Sequence, residues 1–574
     1  MAGERPPEAW DGDGPLEPTL DASPERHPIG GYVPPRRPGR WARLGPGLEW
    51  LPAALTVVVA LFLAGQALQP GVGFWDTGEF QTVGPVLGTA HPTGFPAYVL
   101  LGWLASIVLQ PLGEPAVRMN ALSAVLVAVA AGGLAILVRQ LAGRPWLGAA
   151  AGLVLAMSPV AWRIAGRADA HALHLALVAA LLVALVGWEE RRRARRPGAD
   201  RWLMAAAALY GVALANHTLA LLLAPGIGLF VLVVEPRIVR RPGFVARCAV
   251  VLVAVTGLLY LELPVRAAMH APLVYGRPDT LDGFRYVVLA EQFRGSLVDP
   301  LGHLGDKLTT VLDALSGQLG DLVPLAGLGF VLTVLRRPRY ALLSGVSFVV
   351  TVWFAASYVN AEIDRYYLGP VLLALSWLAV GAGLLLDLVE VAVGLRPPTR
   401  AALLPWIASP RADDGASRAA GPEMAARLRG WPFELALAAV LLVPAVSAAP
   451  DRLDLLRTVP PTDAQRWLDV TLAALPQRAV VVSWWSYSTP LWYAQRAEGR
   501  RPDIWIVDDR TRLDEGLGGL DDVIDAQLGR RPVYLIRPGA EIVDLGSRYR
   551  LETVSAVAGL DPLVRVDGRL GSSR

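Results

Sequence analysis

The sequence predicts a polytopic α-helical membrane protein that ends in a small α/β domain. Three observations predict it. The 574 residues are 53% hydrophobic and 18% charged, with a mean hydropathy of +0.42, whereas soluble domains are about a quarter charged. Apolar runs of bilayer length recur along the chain, separated by short arginine clusters. From residue 450 onward that pattern gives way to short apolar strands alternating with helical segments. The net charge of +3 is small, and the basic residues lie between apolar runs rather than on one face, which argues against nucleic-acid binding. Cys248 is the sole cysteine and Lys307 the sole lysine, so neither an intrachain disulfide nor a cysteine-based metal site is available.

Residues 1–47, rich in Pro, Gly and charge, read as a disordered cytoplasmic tail. Crossing about 30 Å of hydrocarbon takes about 20 apolar residues. Runs of that kind fall near 48–68, 118–138, 146–163, 169–187, 202–216, 218–235, 248–263, 321–335, 341–358, 366–389 and 432–449. That makes eleven expected spans within a membrane domain 48–449. The stretch 95–110 is also apolar, and the positive-inside rule decides its placement. If it lies along the outer surface, the arginine clusters at 139–144, 191–201, 237–247, 336–339 and 396–429 all share the cytoplasmic side with the N-terminus. Residues 69–117 are then a long first outer loop, and 450–574 an extracytoplasmic α/β domain. In that domain, strands are expected at 479–484, 503–508 and 532–537, in a parallel sheet. A helix near 462–475 is expected to open on a Thr462–Gln465 capping box.

The outer loop carries FWDTGEFQTVGPVLGTAHPTGFP, residues 74–96, with Asp76, Glu79 and His91 and no Lys or Arg. If TGEF begins a helical turn, the spacing places both carboxylates on one face. There they raise one another's pKa, and a carboxylate tuned upward suits a general base for a hydroxyl. The alternative is that Asp76 caps the following helix and Glu79 completes the box. His91 either belongs to the same site or sits in a polar turn. Arg118, at the outer head of the second span, either pairs with Glu114 or holds a phosphate. Arg163, Arg167 and Asp169 at the next outer turn have the same two readings. His171 and His174, with His217 two spans later, would need to converge to bind a metal. Asp364 and Arg365 head the tenth span. The aromatic run Trp484, Trp485 and Tyr487, with Trp492 and Tyr493, follows the first strand, where ligands favour the carboxyl ends of parallel strands.

Taken together these residues resemble the GT-C superfamily of integral-membrane glycosyltransferases. Within it, FWDTGEF…HPTGFP resembles the family, once catalogued without a function, that is related to protein O-mannosyltransferases. GVALANHTLALLLAPG (211–226), LPVRAAMHAPLVYGRPDTLDGFRYV (263–287) and AEIDRYYLGP (361–370) resemble it too, and VVSWWSYSTPLWYAQRAEGRRPDIWIV (481–507) does so more loosely. The resemblance implies inverting transfer of a sugar, mannose foremost, from a polyprenyl-phosphate donor to a hydroxyl of an extracytoplasmic protein. Asp76 would be the base and Glu79 its partner in placing the acceptor. The expected substrate-binding residues are His91, Arg118, Arg167, Asp169, His217, Asp364, Arg365 and Trp485, with Arg118 on the lipid phosphate. One departure stands out: Thr77 and Gly78 separate two acids that are adjacent in the O-mannosyltransferases. No cofactor beyond the lipid-linked donor is expected, and a divalent metal is left open. The expected location is the plasma membrane, in contact with membrane lipid. Two other readings stand beside this one: the same chemistry on a lipid or cell-wall glycan, and a non-catalytic transporter or lipid-binding protein. A transporter is expected to show repeat symmetry, and no clear repeat is visible.

Overall fold

The computed structural model describes residues 49–395, 420–458 and 463–571. The expected N-terminal tail and the arginines at 396–419 lie outside these. Helices form at all eleven expected positions, because each run joins good helix formers to a face that can be buried. The expected count of full spans is not met. Among the described residues six helices are long and apolar enough to cross a membrane, or eight if each of two bent pairs is one span. The other three expected spans are Leu51–Gln66 (α1), Ala199–Asn216 and Thr218–Val234. At 16 residues α1 reaches only about 24 Å.

The first outer loop holds two helices, α2 (Trp75–Val86) and α3 (Pro96–Val108), where one surface helix was expected. Helix α3 exposes Trp103, Leu104, Ile107 and Val108, an apolar face of the kind lipid covers. Helix α4 (Pro115–Ala142) then packs along α5 (Pro145–Met157). A Cβ on Gly148 would lie 2.5 Å from the Ala135 carbonyl oxygen, and one on Gly152 2.4 Å from that of Ala131. Only glycine allows backbones this close, the small-residue packing found between membrane helices. Pro159 starts α6 (Pro159–Ala165) at 72° to α5, so the third expected span is broken. Helix α7 (Ala170–Arg193) is among the most buried. It is followed by α8 (Ala199–Asn216), α9 (Ala224–Val234) behind a short 3-10 turn, and α10 (Pro242–Tyr260). Further on, α11 (Leu304–Leu319) meets α12 (Leu322–Arg336) at 103°. After α13 (Pro338–Ala356), the buried α14 (Leu368–Ala392) runs beside α12.

At the end of the bundle where α4 gives way to α5, Arg144 lies between three carboxylates. Its guanidinium reaches Asp387 at 2.5 Å, Glu390 at 2.6 Å and Glu434 at 4.0 Å, while Arg336 reaches Asp387 at 2.7 Å. This cluster ties the α4–α5 turn to α14 and to α15 (Ala420–Thr458). Helix α15 runs past residue 449, where the membrane domain was expected to end.

Helix α16 (Asp463–Ala474) opens the C-terminal domain, and Thr462 of the expected capping box lies outside the described residues. Strands β1 (Val480–Val482), β2 (Trp505–Val507) and β3 (Val533–Leu535) are parallel neighbours, as expected. Two strands, β4 (Tyr549–Ser555) and β5 (Leu563–Arg569), had escaped the sequence reading. They extend the sheet antiparallel, in the order β2-β1-β3-β5-β4, so the sheet is mixed rather than parallel. Helix α17 (Trp485–Trp492) leaves the carboxyl end of β1 and packs on α2. A Cβ on Gly78 would fall 2.4 Å from the Gly73 carbonyl oxygen and 2.8 Å from Thr489 Oγ1. Glycine between the two acids therefore lets α2 seat against both its own entry loop and α17.

Candidate active site

A cavity of about 430 Å³ opens where α2, the loop 273–293, the turn 360–365 and the start of α17 meet. Asp76, His91, Arg365 and Trp485 line it, with Trp75, Tyr275, Gln292, Phe293, Asn360, Ala361 and Glu362. Helix α2 starts at Trp75, whose φ of 56° places a non-glycine residue in the left-handed region directly before Asp76. Asp76 does not cap this helix. Its carboxylate accepts from Arg365 Nη2 at 3.1 Å through Oδ2 and from Trp485 Nε1 at 3.3 Å through Oδ1. The acidic pair is thus compensated, by a residue nearly three hundred positions away in the chain.

Asp76 and Glu79 do share a face of α2 but have separate roles. The Asp76 side chain is 24% exposed to the cavity. Glu79 is buried and outside the cavity lining. One of its oxygens accepts from the His91 backbone N–H at 2.7 Å, and the other pairs with His91 Nδ1. It fixes the imidazole and borders a separate small cavity of about 90 Å³ rather than the one Asp76 opens to, which sets it apart from the expected place beside an acceptor. The electrostatics diverge accordingly. Burial alone would push the Asp76 carboxyl up, yet the charges of His91 and Arg365 outweigh burial and hold it below 3.8. Burial dominates at Glu79 and raises it, against the pull of His91. At His91 burial is overcome by Glu79 and Asp76, so the imidazole is held above 6.5. The expectation that both carboxylates are tuned upward therefore fails for Asp76.

The raised His91 has a consequence for stability. Its contribution is fully present below the unfolded value near 6.5 and is lost as pH rises through the folded value; raised Glu79 acts in the same direction. Thermal midpoints of the purified protein should fall from neutral toward alkaline pH, and His91→Gln should flatten that slope. An unchanged slope in His91→Gln would remove the ion pair from the account.

Behind the cavity Arg365, 6% exposed, is shared among three acids. It meets Asp169 at 3.3 Å and Glu362 at 3.1 Å besides Asp76. Arg167 holds Glu362 at 2.7 Å and lies 3.8 Å from Asp169. Asp169 caps α7, accepting from the His171 N–H at 2.9 Å. Asp364 turns away from the cavity to Arg163 at 2.6 Å. His217 is buried, its ring 5.3 Å from Phe95 and 4.8 Å from His171. Among the described residues no three His, Cys, Asp or Glu side chains group as metal ligands would. Arg118 stands apart from the cavity: its guanidinium donates to the carbonyls of Gly113 at 2.6 Å and Ser106 at 2.9 Å.

The sequence reading did not single out Trp75, Tyr275, Gln292, Phe293, Asn360 and Glu362. Trp75, Tyr275 and Glu362 fall inside quoted segments, but only the fold brings those segments to one cavity. Arg510, on the turn after β2, holds this wall. Its guanidinium lies 4.7 Å from the rings of both Tyr275 and Tyr286 and donates to Asp514 at 2.9 Å.

Residues 76–239 match the family model described as "Protein O-mannosyl-transferase TMEM260 N-terminal domain". Over 281 residues the chain is 32% identical to the mouse (Mus musculus) Protein O-mannosyl-transferase TMEM260, a match covering 46% of this chain and 38% of that protein. The match thus spans well under half the length of that relative. ArnT from Cupriavidus metallidurans bound to undecaprenyl phosphate aligns with a TM-score of 0.53 at 16% identity, covering 90% of this chain and 97% of that one. Its apo state aligns with the same TM-score and coverage at 17% identity. At that identity the likeness is one of fold. The chain is accordingly a multi-pass membrane protein whose fold is like that of ArnT and whose residues 76–239 are similar to the N-terminal domain of the TMEM260 protein O-mannosyl-transferases.

Proposed function

We propose that this protein is an inverting glycosyltransferase that moves a sugar, mannose foremost, from a polyprenyl-phosphate donor to a hydroxyl of an extracytoplasmic protein. The observation that carries the reading is Asp76: an ionised carboxylate, partly open to a polar, aromatic-walled cavity on a chain with this domain and fold. A glycosyl phosphate already has a good leaving group, so no acid is needed to expel it. As the acceptor oxygen attacks the anomeric carbon, its proton passes to Asp76 and the carbon–phosphate-oxygen bond breaks on the opposite face. One displacement with one base inverts the anomeric centre. Among the described residues Arg365 is the one guanidinium lining the cavity, and it is the group to meet charge developing on the phosphate. A phosphate on Arg365 competes with its carboxylates, and an Asp76 released from it becomes a stronger base. Nothing in this chemistry calls for a metal. We place the cavity and the C-terminal domain outside the plasma membrane, by the charge asymmetry of the loops.

Trp485 gives the C-terminal domain a share in the site. Its ring stands 5.7 Å from His91 and 5.9 Å from Tyr275, a wall suited to a sugar face. Trp485→Phe keeps a ring and loses the donor to Asp76; a fall of about tenfold in kcat is expected, the scale of one hydrogen bond to a charged group. Trp485→Ala should add a rise in KM, and equal values for both variants would separate the wall from binding.

The direct test offers radiolabelled polyprenyl-phosphate mannose and extracytoplasmic protein to the purified enzyme in detergent. Label in protein supports the proposal. Label in a lipid fraction alone moves the acceptor to a glycan. No transfer from mannose or from other polyprenyl-phosphate sugars overturns it.

A further inference from the structure

The end of α7 farthest from the cavity carries an arrangement that the transfer reaction does not use. Arg191, Arg192, Arg193, Arg195, Arg196 and Arg237 line a basin of about 680 Å³, and Glu235 is its single acid. Glu235 is already engaged by Arg192 and, at 3.3 Å, by Arg241. Arg191 lies over the Trp202 ring at 4.1 Å. Arg195, Arg196 and Arg237 are exposed, and among the described residues no carboxylate pairs with them. Arg193 also lies 4.0 Å from Glu189 outside the basin, yet six guanidiniums gathered about these two carboxylates leave a net positive charge, so the basin favours an anion.

Topology alone would account for arginines at this end of the bundle. It would not account for what adjoins them. A groove of about 700 Å³, walled almost wholly by apolar atoms, runs along α7, α8, α9 and α10 past Leu181, Leu203, Tyr210, Val231 and Ile238. Basin and groove share their elements. Arg237 faces the basin and the next residue, Ile238, the groove; Ala199 is at the basin and Leu203, one turn on, in the groove. From Arg192 to Leu181 the helix rises about 16 Å, close to one leaflet of a hydrocarbon core about 30 Å thick. A free phosphate would leave the groove empty, and a neutral lipid would leave the guanidiniums uncompensated.

We propose that this paired basin and groove is a binding site for one acidic phospholipid, its phosphate headgroup among Arg195, Arg196 and Arg237 and an acyl chain against α8 and α9. The site is distinct from the donor cavity. Asp169, which joins that cavity through Arg365, caps the opposite end of α7, about 36 Å away along a helix of 24 residues. The proposal does not depend on the transfer reaction.

Native mass spectrometry of the protein, purified in detergent and mixed with phosphatidylglycerol and phosphatidylcholine, tests it. One phosphatidylglycerol per chain should be retained in preference to phosphatidylcholine. The exposed triple variant Arg195→Gln, Arg196→Gln and Arg237→Gln should weaken that retention about a hundredfold, at roughly 1 kcal/mol per surface charge. Ala207→Phe, which fills the groove and leaves every arginine in place, should weaken it as well. Unchanged retention in the triple variant overturns the site. Retention untouched by Ala207→Phe overturns the seated lipid in favour of diffuse charge attraction, and displacement by inorganic phosphate alone overturns it in favour of a free anion.

Discussion

Asp76→Asn should fold as the wild type does and lose transfer by two to four orders of magnitude, roughly the factor that a positioned general base contributes. The amide is nearly isosteric, and its one oxygen can still accept from Arg365 Nη2; its NH2 cannot accept, so the bond from Trp485 Nε1, which the carboxylate takes on its other oxygen, is lost. What it cannot do is take the hydroxyl proton. Donor binding should persist, because Arg365 keeps Asp169 and Glu362 as supports. Because the charges of His91 and Arg365 hold the Asp76 carboxyl below its ordinary value, the acid limb of the wild-type kcat/KM profile, which reports the free enzyme, should lie on the acid side of the usual carboxylate range. Comparing kcat, donor affinity and thermal midpoint for the two proteins separates loss of a base from loss of fold. Normal transfer by Asp76→Asn would remove the assigned base.

The largest stability effect is expected far from the cavity, at Arg144. Removing it in Arg144→Leu leaves Asp387, Glu390 and Glu434 gathered about an apolar side chain, with Arg336 on Asp387 as the remaining cation of the described cluster. Breaking a buried ion pair at one partner costs about 3–5 kcal/mol, because the other charge is stranded without solvent. Thermal unfolding in detergent should show a large drop for Arg144→Leu, partly recovered by Arg144→Lys, which keeps the charge but not the fork. A midpoint within a degree or two of wild type would show that the cluster does not hold the α4–α5 turn to α14 and α15.

The sequence carried the bundle and the candidate Asp76 more clearly than the surroundings of that carboxylate. Apolar run length locates helices because burial of a continuous face needs only composition and period. It does not reveal that the third span breaks at Pro159, that another helix, α11, meets α12 at 103°, or that α1 stops after 16 residues. Asp76 was legible from a local motif, and Arg365 and Trp485 were picked out without any sign that both converge on its carboxylate. That contact joins positions 76, 365 and 485, and no periodicity encodes it. The same gap misread the chemistry of the pair: acids three apart on a helix face raise one another, but the charges of His91 and of a guanidinium from the turn before α14 reverse the sign at Asp76, while burial keeps Glu79 raised beside His91. Arg118 is a different case. Its place at the head of a span pointed to phosphate, and in the structure it lies apart from the cavity, donating to the carbonyls of Gly113 and Ser106. Strands β4 and β5 escaped because charged residues interrupt their alternation, in YRLETVS and LVRVDGR.

The anomeric configuration of the product tests the mechanism most directly. Among the described residues Asp76 and Glu362 are the two carboxylates that line the cavity, and a double displacement would enlist one of them as nucleophile and retain configuration. The acceptor glycosylated by wild-type enzyme from a polyprenyl-phosphate sugar of defined anomer should carry the inverted linkage, read by the one-bond carbon–proton coupling at the anomeric carbon. Retention of the donor's configuration would contradict single displacement with Asp76 as base.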